Sequence, residues 1–181
     1  MIIITMYCHR RSIRLRNYDH SAGGCYFVTI DVQDKLNVFW DENCILQKGG
    51  HIGPPVHKIN KIGKMIEFWW NEISNHFKNI EIDEYIIIPD HFHGILIINQ
   101  FIVGADRCVR PMETKNNPKL GNIVQWFKTM TTNEYIKNVK SNKWPVFHKR
   151  LWQRDYYERI IRDKEELNRI RKYIIENPEK L

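Results

Sequence analysis

The sequence predicts an α+β domain in which an antiparallel sheet carries helices mainly on one of its faces. Short runs of β-branched and aromatic residues alternate with longer stretches in which apolar residues recur every three or four positions. The predicted order is strand, helix, strand, strand, helix, strand, helix, which favours this layered architecture. With 181 residues, 43% of them hydrophobic, the chain has the length and apolar content of one domain spanning residues 1–181.

The first strand and the first helix are predicted from two different apolar patterns. Residues 26–32 follow the Gly23-Gly24 turn and are β-branched and aromatic, which indicates a strand. Residues 44–46 are a candidate for a short partner strand. From residue 56 to residue 77, apolar side chains recur at spacings of three and four, which predicts one amphipathic helix.

A hairpin and a second helix follow. Residues 80–89 and 91–99 read as two strands joined by a turn at Pro89-Asp90. Residues 104–118 are polar, contain two prolines and are expected to form a flexible loop. A second helix is predicted from about Leu120, because Ile123, Val124, Phe127 and later apolar residues fall on one face.

The C-terminal part is predicted to end in a capped helix. Residues 141–147 are loop, and residues 151–161 form a strand or an extended segment. Asp163 is a plausible N-cap with Glu166 three residues later, and the helix stops before Pro178.

The charge of the chain favours a polyanionic partner. The formal net charge is +7 and the isoelectric point is near 9.2. Two basic clusters occur, one in an N-terminal arm (residues 1–20) and one close to several aromatic residues; their arginines are Arg10, Arg11, Arg14, Arg16, Arg150 and Arg154. Guanidinium groups among flat rings suit phosphates and unstacked bases of single strands. A solvated basic surface is the alternative interpretation of each cluster.

Other function classes are disfavoured by what the sequence lacks. No apolar run approaches the ~20 residues of a membrane span, and the N-terminal apolar residues are too few for a secretion signal. The four cysteines have neither C-x-x-C nor zinc-finger spacing, so reduced thiols are expected. We therefore expect a cytoplasmic protein without a membrane partner.

Two histidines at the start of a predicted strand form a candidate metal clamp. Residues i and i+2 of a strand point to the same face, so His91 and His93 project together while Phe92 points to the other side. Two neutral imidazoles in this arrangement can hold a divalent metal and leave positions open for other ligands. A hydrogen-bonded pair of surface histidines is the alternative.

Tyr173 and Asn177 lie four residues apart in the last predicted helix and therefore share a face. The amide oxygen of Asn177 could complete a set of ligands with the two histidines, with Tyr173 beside a metal-bound phosphate. The alternative is core packing for Tyr173 and a helix C-terminal role for Asn177. On the second helix, Lys128 could face the cleft and hold phosphate, or be an ordinary exposed lysine.

Several of these segments together resemble the REP-associated tyrosine transposases. Residues 85–95, with the His91-Phe92-His93 triplet, resemble the His-hydrophobic-His motif of single-tyrosine transposases. The other segments that are similar to the REP-associated group are 11–15, 18–19, 26–30, 120–124, 127–129, 152–163 and 173–178. The resemblance spans about residues 10 to 178.

The resemblance implies an RRM-like (ferredoxin-like) fold and a specific chemistry. It implies Mg²⁺ or Mn²⁺ held by His91 and His93, with Asn177 as the third ligand and Tyr173 as the nucleophile. The implied activity is cleavage and rejoining of single-stranded DNA, on REP-type hairpins, through a 5′-phosphotyrosine. The protein would act as a monomer or a homodimer.

Three alternatives stay open at this point. An RRM-like nucleic-acid-binding protein without catalysis would account for the aromatic residues and arginines. A metal hydrolase that uses an activated water would need more carboxylate ligands than the sequence offers near the histidines. A domesticated transposase would have the same site and differ only in genomic context.

Overall fold

A computed structural model describes residues 23–41, 59–99 and 118–177. The predicted basic arm, the candidate strand at residues 44–46 and all but the last residue of the 104–118 loop lie outside the described residues. Within the three described ranges, no helix combines the length and the apolar character that crossing a membrane requires.

The described residues form four strands and three α-helices that alternate as the sequence predicts. The strands are β1 (Gly24–Asp31), β2 (Ile80–Ile88), β3 (His91–Ile98) and β4 (Tyr157–Ile161). The helices are α1 (Lys61–His76), α2 (Leu120–Lys140) and α3 (Lys164–Glu176).

The four strands make one antiparallel sheet in the order β2-β3-β1-β4. Helix α1 connects β1 to β2 and helix α2 connects β3 to β4, so the core is a βαββαβ unit. The predicted α+β fold class, with its ferredoxin-like antiparallel sheet, is confirmed.

The main core lies between the sheet and the helices α1 and α2. Tyr26, Val28 and Ile30 alternate along β1 with residues of the other face, and all three are completely buried. Phe92 of β3 packs against Trp70 of α1, with 4.5 Å between ring centroids. Two of the three helices therefore cover this face, which agrees with the expected one-sided arrangement.

Helix α3 packs on the opposite face of the sheet. Its Ile170 and Ile174 form a smaller apolar cluster with Phe27 of β1, Ile95 of β3 and Ile161 of β4. This cluster covers only part of the face, and the histidines of β3 lie on the same face beyond it. The sheet thus has one closed face and one half-open face.

The first helix begins later than its apolar pattern predicts. The predicted start at residue 56 falls among residues that the structure does not describe, whereas the described helix starts at Lys61. The Asn60 side chain caps it by accepting hydrogen bonds from the backbone N–H groups of Ile62 and Gly63. Ile59, although apolar and in phase, forms an extended bridge with Trp40 instead.

The segment at residues 151–161 contains a short strand only at its end. Trp152 forms an isolated antiparallel bridge with Val32, and regular pairing with β1 begins at Tyr157. Residues 153–156 lie between these two pairings, whereas only residues 30 and 31 lie between the partners Thr29 and Val32. The extra residues make the chain bulge out of the sheet.

Candidate functional site

The two histidines of β3 converge on one point of the half-open face. The Nε2 atoms of His91 and His93 are 3.1 Å apart. Phe92 between them is fully buried on the other side of the sheet. The same-face projection that strand geometry predicts is therefore present.

Each imidazole is oriented by a hydrogen bond at its Nδ1 atom. Nδ1 of His91 donates to the carboxylate of Asp90 over 2.5 Å, an arrangement that in the neutral ring puts the lone pair on Nε2. Nδ1 of His93 is 2.8 Å from the hydroxyl oxygen of Thr29, its direct cross-strand neighbour. Such contacts behind a ring fix its tautomer and its direction.

Burial keeps His93 neutral. Only 5% of this residue is exposed. Loss of hydration, and then the nearby charge of His91, lower the pKa of His93 to about 4. At neutral pH its ring is uncharged, which is the form that binds metals.

The spacing of the histidines fits two ligands of one metal ion. Two imidazole nitrogens at about 2.1 Å from an ion and at a right angle to each other would be about 3.0 Å apart, close to the 3.1 Å observed. A direct N–H···N hydrogen bond between the rings fits the same distance. Among the described residues, no group of three His, Cys, Asp or Glu side chains is arranged to hold one metal ion, so a third protein ligand there would be of another type.

Helix α3 carries Tyr173 to the edge of the histidine pair. The rings of Tyr173 and His93 meet edge to face, with centroids 5.6 Å apart and planes at 65°. Phe27 stacks on His93 at 5.3 Å and meets Tyr173 at 6.2 Å. Tyr173 is 42% exposed, so it combines proximity to His93 with access to solvent.

Asn177 ends the same helix one turn further on. Its backbone is still helical, and the residue is only 8% exposed. Its side-chain nitrogen is buried and has no hydrogen-bond partner among the described residues. A buried N–H donor without a partner is uncommon. A metal ion would bind the amide oxygen of this side chain, not the nitrogen.

Ion pairs fix α3 on the sheet. The guanidinium group of Arg171 binds both carboxylate oxygens of Asp83 at 2.6–3.2 Å. A β-bulge in β2 lies at this point, because the pairing register with β3 shifts between Ile82 and Tyr85. At the start of the helix, Glu166 binds Arg159, and Asp163 caps the backbone of Glu166 as its sequence position predicts.

One lysine and two carboxylates lie beside the histidine pair. Lys35 lies 2.5 Å from Asp31 and 3.8 Å from Asp90, the residue that binds His91. Asp31 is the cross-strand neighbour of His91. The lysine therefore offsets part of the negative charge of the two carboxylates at this end of the sheet.

Lys128, one of the predicted DNA-contacting residues, binds the protein backbone. Lys128 donates from its Nζ atom to the carbonyl oxygens of Gln153 and Asp155 at 2.9 Å and to that of Arg154 at 3.5 Å. Burial lowers the pKa of Lys128 to about 8. This lysine thus holds the bulge before β4, which the sequence did not predict, and its phosphate contact stays a prediction.

The predicted arginines are only partly within the described residues. Arg150 and Arg154 are exposed in the segment that leads into β4. Arg10, Arg11, Arg14 and Arg16 lie outside the described residues. Their contacts with DNA stay predictions.

Two residues of the site were missed by reasoning from the sequence. Phe27 and Thr29 alternate along β1 with core residues, so their common face is readable from the sequence. They share a face with His91 and His93 only because β1 pairs with β3 in this register. The local sequence does not determine that register.

Comparisons with known proteins agree with this fold. No protein-family model matches the sequence. An uncharacterised protein of Haemophilus influenzae is 34% identical over 178 residues, which cover 94% of this chain and 88% of the relative. The solved structure of a REP-associated tyrosine transposase bound to a REP hairpin superposes with a TM-score of 0.55 at 15% identity, covering 92% of this chain and 72% of that one. At this identity the likeness establishes a shared fold.

Proposed function

We propose that this chain, which belongs to the same protein family as the uncharacterised Haemophilus influenzae protein, cleaves and rejoins single-stranded DNA as a tyrosine transposase. The proposal rests on the residues of the chain's own site. The observation that carries the proposal is the position of Tyr173, which stands edge-on to His93 and remains open to solvent. The fold shared with a REP-associated tyrosine transposase supports it.

We propose that His91 and His93 hold Mg²⁺ or Mn²⁺ through their Nε2 atoms, with the amide of Asn177 as a further ligand. The 3.1 Å separation of the Nε2 atoms supports the histidine pair as ligands. Asn177 follows Tyr173 by one helical turn, which supports its place beside the site, and its amide oxygen would be the coordinating atom. The ion would supply neutralisation of phosphate charge and orientation of the phosphodiester. Asp90 and Thr29 would keep both rings aimed at it.

In this proposal the nucleophile is the hydroxyl oxygen of Tyr173. A tyrosine has an ordinary pKa of about 10 and attacks poorly until its proton is removed. The residue is 42% exposed, so water near this side chain could take up the proton. The oxygen then forms a bond to phosphorus while the bond to the 3′ oxygen breaks, which gives a 5′-phosphotyrosine and a free 3′-OH. Attack of a 3′-OH on that ester reverses the step without another energy source.

The proposed substrate is a hairpin of the REP type with flanking single strands. The related fold is known bound to a REP hairpin, and the net charge of +7 favours a polyanion. Arg150 and Arg154 are exposed and available for phosphate contacts. The protein would act on this DNA as a monomer or a homodimer.

The proposal is tested by incubating the protein with hairpin DNA that carries single-stranded flanks and is labelled at the 5′ or the 3′ end. With Mn²⁺ we expect a nick on denaturing gels, and the fragment downstream of the nick should migrate with the protein until protease is added. EDTA and the His91→Ala and His93→Ala variants should abolish the nick.

Matched controls separate this reaction from the alternatives. Tyr157→Phe removes another tyrosine hydroxyl from the same sheet face and should leave the nick intact. Cleavage without a covalent adduct would indicate a hydrolase that uses water. Binding of DNA without any metal-dependent cleavage would indicate a non-catalytic nucleic-acid-binding protein. Either result contradicts the proposal.

A further inference from the structure

Tyr157 stands in the same row of the sheet as the histidine site. It lies directly across from Thr29 in the pairing of β4 with β1, and Thr29 lies directly across from His93 in the pairing of β1 with β3. Directly opposed residues of neighbouring strands project to the same face. Because the Thr29 hydroxyl bonds to His93, this face is the one that carries the site. Two strand spacings separate Tyr157 from His93, about 10 Å.

The ring of Tyr157 is available on that face. The residue is 52% exposed, although it belongs to a regular strand. Its neighbour Tyr156 points to the other side of the sheet, where its hydroxyl donates to Glu158 and the Lys128 amine lies 5.7 Å from its ring centroid. The two adjacent tyrosines therefore have different environments, and only Tyr157 presents its ring beside the site.

The backbone before Tyr157 is held in place. The bulge at residues 153–155 turns its carbonyl oxygens toward the Lys128 amine, which binds all three. On the other side, the backbone N–H of Gln153 donates to the carbonyl of Asp31. A ring on a fixed backbone loses little conformational freedom when a ligand stacks on it.

We propose that Tyr157 is a stacking platform for an unpaired nucleobase of the DNA strand whose phosphate lies at the histidine pair. This inference rests on the proposed function. A flat ring accepts any base, so it would hold the strand without reading its sequence. Arg150 and Arg154 are exposed in the segment leading to the same strand, and their positive charge complements the phosphates of such a strand.

The test compares an oligothymidylate of about twelve nucleotides with an abasic oligonucleotide of the same length, both titrated in EDTA so that no cleavage occurs. Tyr157→Ala should weaken binding of the oligothymidylate about fivefold to hundredfold. Tyr157→Phe keeps the ring and should bind like the unaltered protein. All three proteins should bind the abasic strand equally, because it offers phosphates and no bases. Thermal melting checks that the Tyr157→Ala variant is folded.

The outcomes separate this inference from the proposed function. Equal affinity of the Tyr157→Ala variant and the unaltered protein for the oligothymidylate would overturn the stacking role, even if the protein nicks hairpin DNA. An equal loss of affinity for the abasic strand would also overturn it, since the effect would then concern phosphates. A loss confined to the oligothymidylate would support stacking even if no nick is found, in which case the proposed cleavage alone fails.

Discussion

The ring of Tyr173 meets the ring of His93 edge to face, with 5.6 Å between their centroids, although the two residues come from different elements. The helix brings the tyrosine, and the central strand β3 brings the histidine. Phe27 stacks on the ring of His93 and meets the ring of Tyr173 edge to face. This relationship joins the two separate sequence motifs into one site.

Thr29 should matter for metal binding through His93. Its hydroxyl oxygen is 2.8 Å from Nδ1 of that ring, and loss of such a contact typically weakens metal affinity about 10- to 100-fold. We expect this loss for Thr29→Val, measured by titrating Mn²⁺ and following its electron paramagnetic resonance signal. Thr29→Ser keeps the hydroxyl and serves as the control. Equal Mn²⁺ affinity in all three proteins would exclude an orienting role for Thr29.

The stability of the metal-free protein should fall as the pH drops from about 6.5 to about 4. The folded-state pKa of His93, about 4, is below its ordinary value of 6.5, so the unfolded chain binds a proton first in this window. Between pH 6.5 and pH 4, protonation of His93 in the unfolded chain should lower the free energy of unfolding by on the order of 3 kcal/mol.

Urea unfolding in EDTA at several pH values measures this effect. Carboxylates also titrate in this range, so the unaltered protein is compared with a His93→Gln variant. The advantage of the unaltered protein should shrink as the pH falls. A difference between the two that stays constant with pH would show that His93 is not held neutral by burial.

Gly94 should not tolerate a side chain. A Cβ atom there would lie 2.4 Å from Cζ2 of Trp70 and 2.9 Å from Cε1 of Phe92, both in the closed core. We expect Gly94→Ala to destabilise the fold by about 1–3 kcal/mol or more in chemical denaturation. Gly24→Ala is the matched control, because the atom nearest to a Cβ at Gly24 would be the hydroxyl oxygen of Tyr26, at 3.3 Å. Equal stability of the two variants would contradict the packing described for Gly94.

The Arg171–Asp83 pair should couple α3 to the edge strand. Arg171→Met keeps most of the aliphatic length and Asp83→Asn keeps the shape, so together they remove the charge interaction with little other change. A double-mutant cycle of unfolding free energies should give a coupling of about 1 kcal/mol. Additive effects of the two substitutions would mean that the pair does not hold the helix.

Local patterns were sufficient to predict the elements, and they were less informative about the site. The alternation that sends Phe92 into the core and both histidines outward is a property of one strand, so it was predictable. The Asp163 cap was predictable for the same reason, because its partner Glu166 lies three residues away. The start of α1 was placed too early, since Ile59 fits the helical period and yet pairs with Trp40.

Contacts that depend on strand register could not be predicted from the sequence. Thr29 reaches His93 only because β1 pairs with β3 in one particular register. Lys128 binds carbonyl groups that are exposed only because the chain bulges before β4. The prediction that Tyr173 lies beside the histidines depended on the family resemblance, because nothing within either segment determines how α3 lies on the sheet.

The most direct test of the central claim is to identify the residue that carries DNA after cleavage. The protein is incubated with hairpin DNA and Mn²⁺, the adduct is trapped by denaturation, and the modified peptide is mapped by mass spectrometry. Nucleotide on Tyr173, together with loss of the adduct in Tyr173→Phe, is the predicted result. Because Tyr157 lies on the same face of the sheet, nucleotide on Tyr157 instead would contradict the assignment of Tyr173 as the nucleophile.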